Sequence, residues 1–117
     1  MSARRLAHLG PRGTYTEAAA IAHDRMAELV ATQTVPEALA AVEAGAVDAA
    51  VVAIENSVEG GVTENLDHLA QEDFSLAVCG EVVLSIRHAL VGAPGIDPAT
   101  ATSVYSHPQA LAQCRER

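Results

Sequence analysis

Residues 49–69 read AAVVAIENSVEGGVTENLDHL. The first six, Ala49 to Ile54, are an unbroken apolar run, which predicts a strand buried on both faces, as parallel sheets require. Glu55-Asn56-Ser57-Val58-Glu59-Gly60-Gly61 follows as a polar loop containing glycine. Thr63 to Leu69 then reads as a helix capped by the Thr63 hydroxyl, with Leu66, Leu69 and Ala70 as its core face.

Upstream, the same rhythm occurs twice. Arg5 to Leu9 reads as a short strand, Gly10 to Gly13 as a turn, and Thr14 to Met26 as a helix opened by hydroxyl-bearing cap residues. Leu29 to Thr34 reads as a second strand. Pro36 then opens a helix in which Ala38, Leu39, Val42 and Ala46 recur at helical spacing until Gly45 loosens its end. The alternation βαβαβα implies an α/β fold with a doubly wound sheet. Downstream the rhythm changes. Phe74 to Val78 and Glu81 to Val91 are expected as strands, and Ala93 to Pro98 as a turn. A last strand, Ser103 to Tyr105, leads through Ser106-His107-Pro108-Gln109 into a helix beginning at Ala110.

Half of the 117 residues are apolar, which matches a single globular unit with one core. The 7 basic residues are all arginine against 15 carboxylates, so a formal charge of -8 leaves no electrostatic footprint for nucleic acid or an anionic membrane. With lysine absent, Schiff-base and P-loop lysine chemistry are excluded within these residues. Cys79 and Cys114 fit neither a CxxC pair nor zinc spacing, so both are expected to be reduced and structural. No signal peptide or 18-residue apolar span is legible, and a cytoplasmic location is expected. His8, His23, His68 and His88 show no paired spacing, and no metal site is expected.

Three places share one geometry, in which a strand delivers the chain to a small-residue or hydroxyl-rich turn and a helix starts at once: Gly10 to Thr16, Glu55 to Thr63, and Ser106 to Gln109. Helix starts offer unpaired N–H groups and the positive end of a dipole, so they hold carboxylates or phosphates without lysine. In open α/β sheets such turns gather at the carboxyl ends of the strands. The residues therefore point to a small-anion site. Each turn taken singly also reads as ordinary cap and turn chemistry. Glu55 and Glu59 suit either acid-base work or plain solvation.

At these three turns the sequence resembles prephenate dehydratases, which carry a GPxGTF/Y-S/T-xxAA stretch, an IENSxEGxVxxxLDxL stretch and SHPQALxQC in that order. Here they are Gly10 through Ala19, Ile54 through Leu69, and Ser106 through Cys114. The resemblance spans about Leu6 to Cys114. It implies two α/β lobes like a type-II periplasmic binding protein, with residues 1–100 as the first lobe and 101–117 as the start of the second. Prephenate would sit in the cleft between lobes, with no metal or organic cofactor, in a homo-oligomer. Carried over residue by residue, Asn56, Ser106 and Gln113 look like substrate contacts, with Thr14, Gly61 and adjoining amides lining the cleft. Glu55, Ser57, His107, Gln109 and Gly13 would shape the turns.

One departure matters. The family assigns its hydroxyl donor to a threonine in a downstream Thr-Arg-Phe motif, and these 117 residues contain none. The catalytic residue is therefore unknown here, and the phenylalanine-binding ACT domain of many relatives is also absent. The resemblance thus implies a shortened or proteolysed segment, inactive alone and self-associating, with exchange of elements as one route. Two rivals stay open, a prephenate decarboxylase-type relative and a small-anion binding or sensing module of the same fold. A segment completed by another polypeptide is a third.

Overall fold

The computed structural model describes residues 3–56 and 60–115. The chain divides into two units, Met1–Leu84 and Ser85–Arg117. In the first, β1 (Arg5–Leu9) is the centre of a parallel sheet, flanked by β2 (Glu28–Thr32) and β3 (Ala49–Val51) in the order β2-β1-β3. Helices α1 (Tyr15–His23) and α2 (Val35–Glu43) make the two crossovers. The α/β reading is correct.

Alternation along β1 assigns the faces. Ala7 points to one side, where it is fully buried against Ala38 of α2 and Val47, with Val30, Ala41, Val42 and Ala50 packed around them. Leu6 and His8 point to the other, where His8 faces Glu17 of α1. Ala7, Ala20 and Ala38 are all at 0% exposure, so helix and sheet approach closely with little side chain between them. An alanine-rich, aromatic-poor chain can build only this kind of thin core.

Both crossover helices start with the same device. Thr14 and Thr34 are the N-caps, and their hydroxyls accept the backbone N–H of Glu17 and Glu37 at 3.3 and 3.1 Å. Each glutamate reaches back to an amide preceding the helix, that of Gly13 or Gln33, at 3.1 Å in both cases. These are Thr-x-x-Glu capping boxes shifted by one residue. Gly45, at φ +75°, closes α2: its N–H donates to Val42 O and that of Ala46 to Ala41 O, which is a Schellman motif.

The differences from expectation have local causes. The first helix ends at His23, three residues before Met26, because the Asp24 carboxylate accepts the Met26 N–H and turns the chain. β2 stops at Thr32 because Thr34 is used as a cap. The run Ala49 to Ile54 is a strand only to Val51 and is half-buried, since its sole partner among the described residues is β1. Phe74 to Val78, Glu81 to Val91 and Ser103 to Tyr105 are not strands. β-rich sequence without a paired neighbour does not make a ladder.

After β3 a short antiparallel ribbon, β4 (Glu55–Asn56) with β5 (Gly60–Gly61), leads into α3 (Thr63–Leu69). Val62, not Thr63, is the N-cap, and no side chain caps this helix. Nor is Leu66 a core residue: it is 37% exposed, Leu69 is half-buried and Ala70 exposed. The buried residue is Asn65, whose side-chain amide donates to Ala53 O at 2.8 Å and so docks α3 on the end of β3. In the second unit, a 3₁₀ turn (Pro98–Thr100) precedes α4 (Pro108–Gln113).

Two substitutions test this account. Gly45→Ala places a Cβ in the left-handed region and should lower unfolding free energy by about 1–2 kcal/mol, measured by urea titration; an unchanged midpoint would refute the Schellman assignment. Asn65→Leu leaves the Ala53 carbonyl without its donor and should cost about 1–3 kcal/mol; a variant as stable as the parent would mean that this amide does not dock α3.

Candidate switch-point site

In the order β2-β1-β3 the crossover through α1 leaves β1 in one direction and that through α2 returns on the other side. The topological switch therefore lies between β1 and β3, where open α/β sheets form their ligand crevice. Because β1 and β3 are parallel, the Gly10 to Thr14 turn and the chain running through Val52 to Asn56 leave the same edge of the sheet. Two of the three sequence-marked turns thus begin at the same end of the sheet. The third, Ser106 to Gln109, belongs to the second unit.

The β1 turn is held by a dense set of hydrogen bonds. Leu9 O accepts from the Thr14 hydroxyl at 3.1 Å and the Thr16 hydroxyl at 2.8 Å. The Gly10 N–H donates to Thr32 O at 2.8 Å. Gly13 takes φ +91°, which favours glycine, and its N–H is taken by the Glu17 carboxylate. Thr14 therefore spends its hydroxyl on the turn and the cap, donating to Leu9 and accepting from Glu17.

Across the edge, Asn56 stands opposite Gly60 and Glu55 opposite Gly61, with the Val62 N–H extending the ribbon to Ile54 O at 2.7 Å. A Cβ on Gly61 would lie 2.6 Å from Leu66 Cδ1, so glycine lets this exposed leucine lie over the ribbon. Ser57 and Glu59 lie outside the described residues. In the second unit, His107 is the N-cap of α4: its Nδ1 accepts the Gln109 N–H at 3.1 Å, which puts any ring proton of the neutral form on Nε2. Gln113 Oε1 pairs closely with His88 Nε2. Ser106 is exposed.

Two concavities of about 370 Å³ each lie along β1 and β2. One is lined by His8, Arg12, Glu17, Ile21, Leu29 and Ala31, the other by Gly10, Pro11, Ala31, Thr32 and Gln33. Among the described residues, none of those carried over from the resemblance lines either. His8, at 1% exposure, and Glu17 escaped the sequence reading, although the Thr-x-x-Glu spacing and a histidine inside an apolar strand were both visible. His88 beside Gln113 had no sequence signal, because the two are 25 positions apart. Among the described residues no cluster of His, Cys, Asp and Glu could hold a metal ion. Both cysteines are free, and Cys79 is exposed instead of built into a core.

The sequence model of the prephenate dehydratase family matches residues 6–117. The bifunctional chorismate mutase/prephenate dehydratase of Pseudomonas aeruginosa is 42% identical over 96% of this chain and 30% of its own length. The prephenate dehydratase of Amycolatopsis methanolica is 44% identical over 96% of this chain and 36% of its own. The chain thus spans about a third of the length of these relatives. The X-ray structure of prephenate dehydratase from Streptococcus mutans superposes with a TM-score of 0.56 at 35% identity, covering 59% of this chain and 36% of that one. With a family match running from β1 to the last residue and a shared fold in the α/β unit, this chain belongs to the prephenate dehydratase family.

Proposed function

We propose that this chain carries part of the prephenate site of a prephenate dehydratase, acting in aromatic amino acid biosynthesis in the cytoplasm. The observation that carries the reading is the parallel pairing of β1 with β3, from whose carboxyl ends the chain enters Gly10 to Thr14 and Glu55-Asn56, parts of two family motifs. Asn56 is the proposed side-chain contact on this edge. Thr14 acts through the turn that its hydroxyl secures, while Gly61 and the neighbouring backbone line the site. Ser106 and Gln113 are the proposed contacts of the second unit, with Glu55, Ser57, His107 and Gln109 supporting the turns.

Prephenate has two carboxylates. Its ring loses one as CO2, the electron pair of that C–C bond enters the ring, and the ring hydroxyl departs as water after gaining a proton. Aromatisation drives the step, so the protein's task is to hold the dianion and assist the leaving oxygen. Backbone amides at a helix start suit the first task in a lysine-free chain. The second needs a donor that these residues do not identify. No helix among the described residues is long and apolar enough to cross a membrane. Homo-oligomerisation is part of the proposal, supported by Val83, Val91 and Tyr105 at 89%, 87% and 91% exposure.

Calorimetry on the 117-residue chain should give heat with prephenate and none with a panel of amino acids. Heat from an amino acid alone would favour a sensing module and end this reading. Asn56→Ala should weaken prephenate binding about tenfold or more, the loss expected for a hydrogen bond to a charged group. Phenylpyruvate formation should stay at the uncatalysed rate; turnover typical of whole enzymes would show that the donor lies within these residues. Light scattering should report a species larger than a monomer.

A further inference from the structure

We propose that Glu17 is a positioning residue for the switch-point site, holding the Gly13-Thr14 turn in its binding geometry; this rests on the reading just given. Gly13 has no heavy atom within 4 Å of where a Cβ would be, so packing does not fix its left-handed conformation. Its N–H bond to Glu17 Oε1 at 3.1 Å does. Two other side chains flank the same carboxylate. Arg12 Nε lies 3.8 Å from Oε2 at the surface, and His8 Nε2 lies 4.0 Å from it in the interior.

His8 has its own anchor. Its Nδ1 is 3.0 Å from Leu9 O, which can only accept, so Nδ1 carries the proton. That is the carbonyl to which the Thr14 and Thr16 hydroxyls donate. A single carbonyl at the end of the central strand thereby connects the turn, the cap and the histidine behind Glu17. The Glu17 side chain is only 18% exposed, and the bond to Gly13 needs a single acceptor oxygen at the Oε1 position, which a glutamine amide also offers.

The molecule contains its own control. Glu37 makes the same capping box on α2, accepting from Gln33 N and donating its backbone N–H to Thr34 Oγ1. It follows β2, on the side of β1 away from β3. Loss of Glu37 should therefore loosen a helix start without touching the switch point.

The experiment compares Glu17→Ala, Glu17→Gln and Glu37→Ala in the 117-residue chain, reading amide exchange by NMR, thermal midpoint and prephenate affinity. Both alanine variants should lower the midpoint to a similar extent. Only Glu17→Ala should speed Gly13 amide exchange and weaken prephenate binding, each about tenfold for the loss of one hydrogen bond. Glu17→Gln, which keeps an acceptor without the charge, should restore both. If Glu17→Ala leaves Gly13 exchange at the parent rate, if Glu17→Gln fails to restore it, or if Glu37→Ala weakens binding equally, the inference is wrong. A parent chain that does not bind prephenate but shows the expected Gly13 exchange pattern would overturn the proposed function and leave the positioning role standing.

Discussion

The pairing of Arg5–Leu9 along both edges is the constraint on which the first unit depends. β1 alone contacts a strand on each side, and its two faces receive α1 and α2. Its central residues, Leu6, Ala7 and His8, are at 1%, 0% and 1% exposure. Every backbone amide and carbonyl there must find a protein partner, because water cannot reach it. Remove that strand and neither crossover has a surface to pack on, nor do the two motif turns share an edge.

The end of β1 then converts sheet geometry into the ordered turn of the candidate site. Leu9 O has finished its ladder duties and accepts hydroxyl donors from Thr14 and Thr16, which fold the chain back over the strand and start α1. The turn is thus a product of donor and acceptor satisfaction more than of apolar burial. Glycine at Gly13 makes the left-handed step available, and Glu17 holds it. Polar networks of this kind are sensitive, since a buried acceptor left unsatisfied costs more than the bond contributes when made.

Charge balance bears on the proposed ligand chemistry only indirectly. At -8 overall, the dianion of the proposed function would gain no attraction from net charge and would depend on local donors. Glu17 sits close to the same turn, yet Arg12 and His8 flank it, so the carboxylate acts inside the structure instead of repelling a ligand at the mouth. In the second unit the amide of Gln113 likewise has a neighbour, His88, at its oxygen.

The sequence by itself determined the βαβαβ order, the two capped crossover helices, the parallel central strand and the three family motifs, because each is written in short-range pattern: apolar runs, Thr caps and glycine turns. It did not determine where strands ended, since Val52 to Ile54, Phe74 to Val78 and Glu81 to Val91 have strand-like composition and no described partner to pair with. It also misread α3, whose buried contact is the polar Asn65 to Ala53 bond and not the leucine stripe. Only tertiary structure decided that His8 would stand behind Glu17 and that His88 would meet Gln113. Those contacts join residues 9 and 25 positions apart, and local periodicity carries no information about which side chains the folded backbone brings within reach of one another.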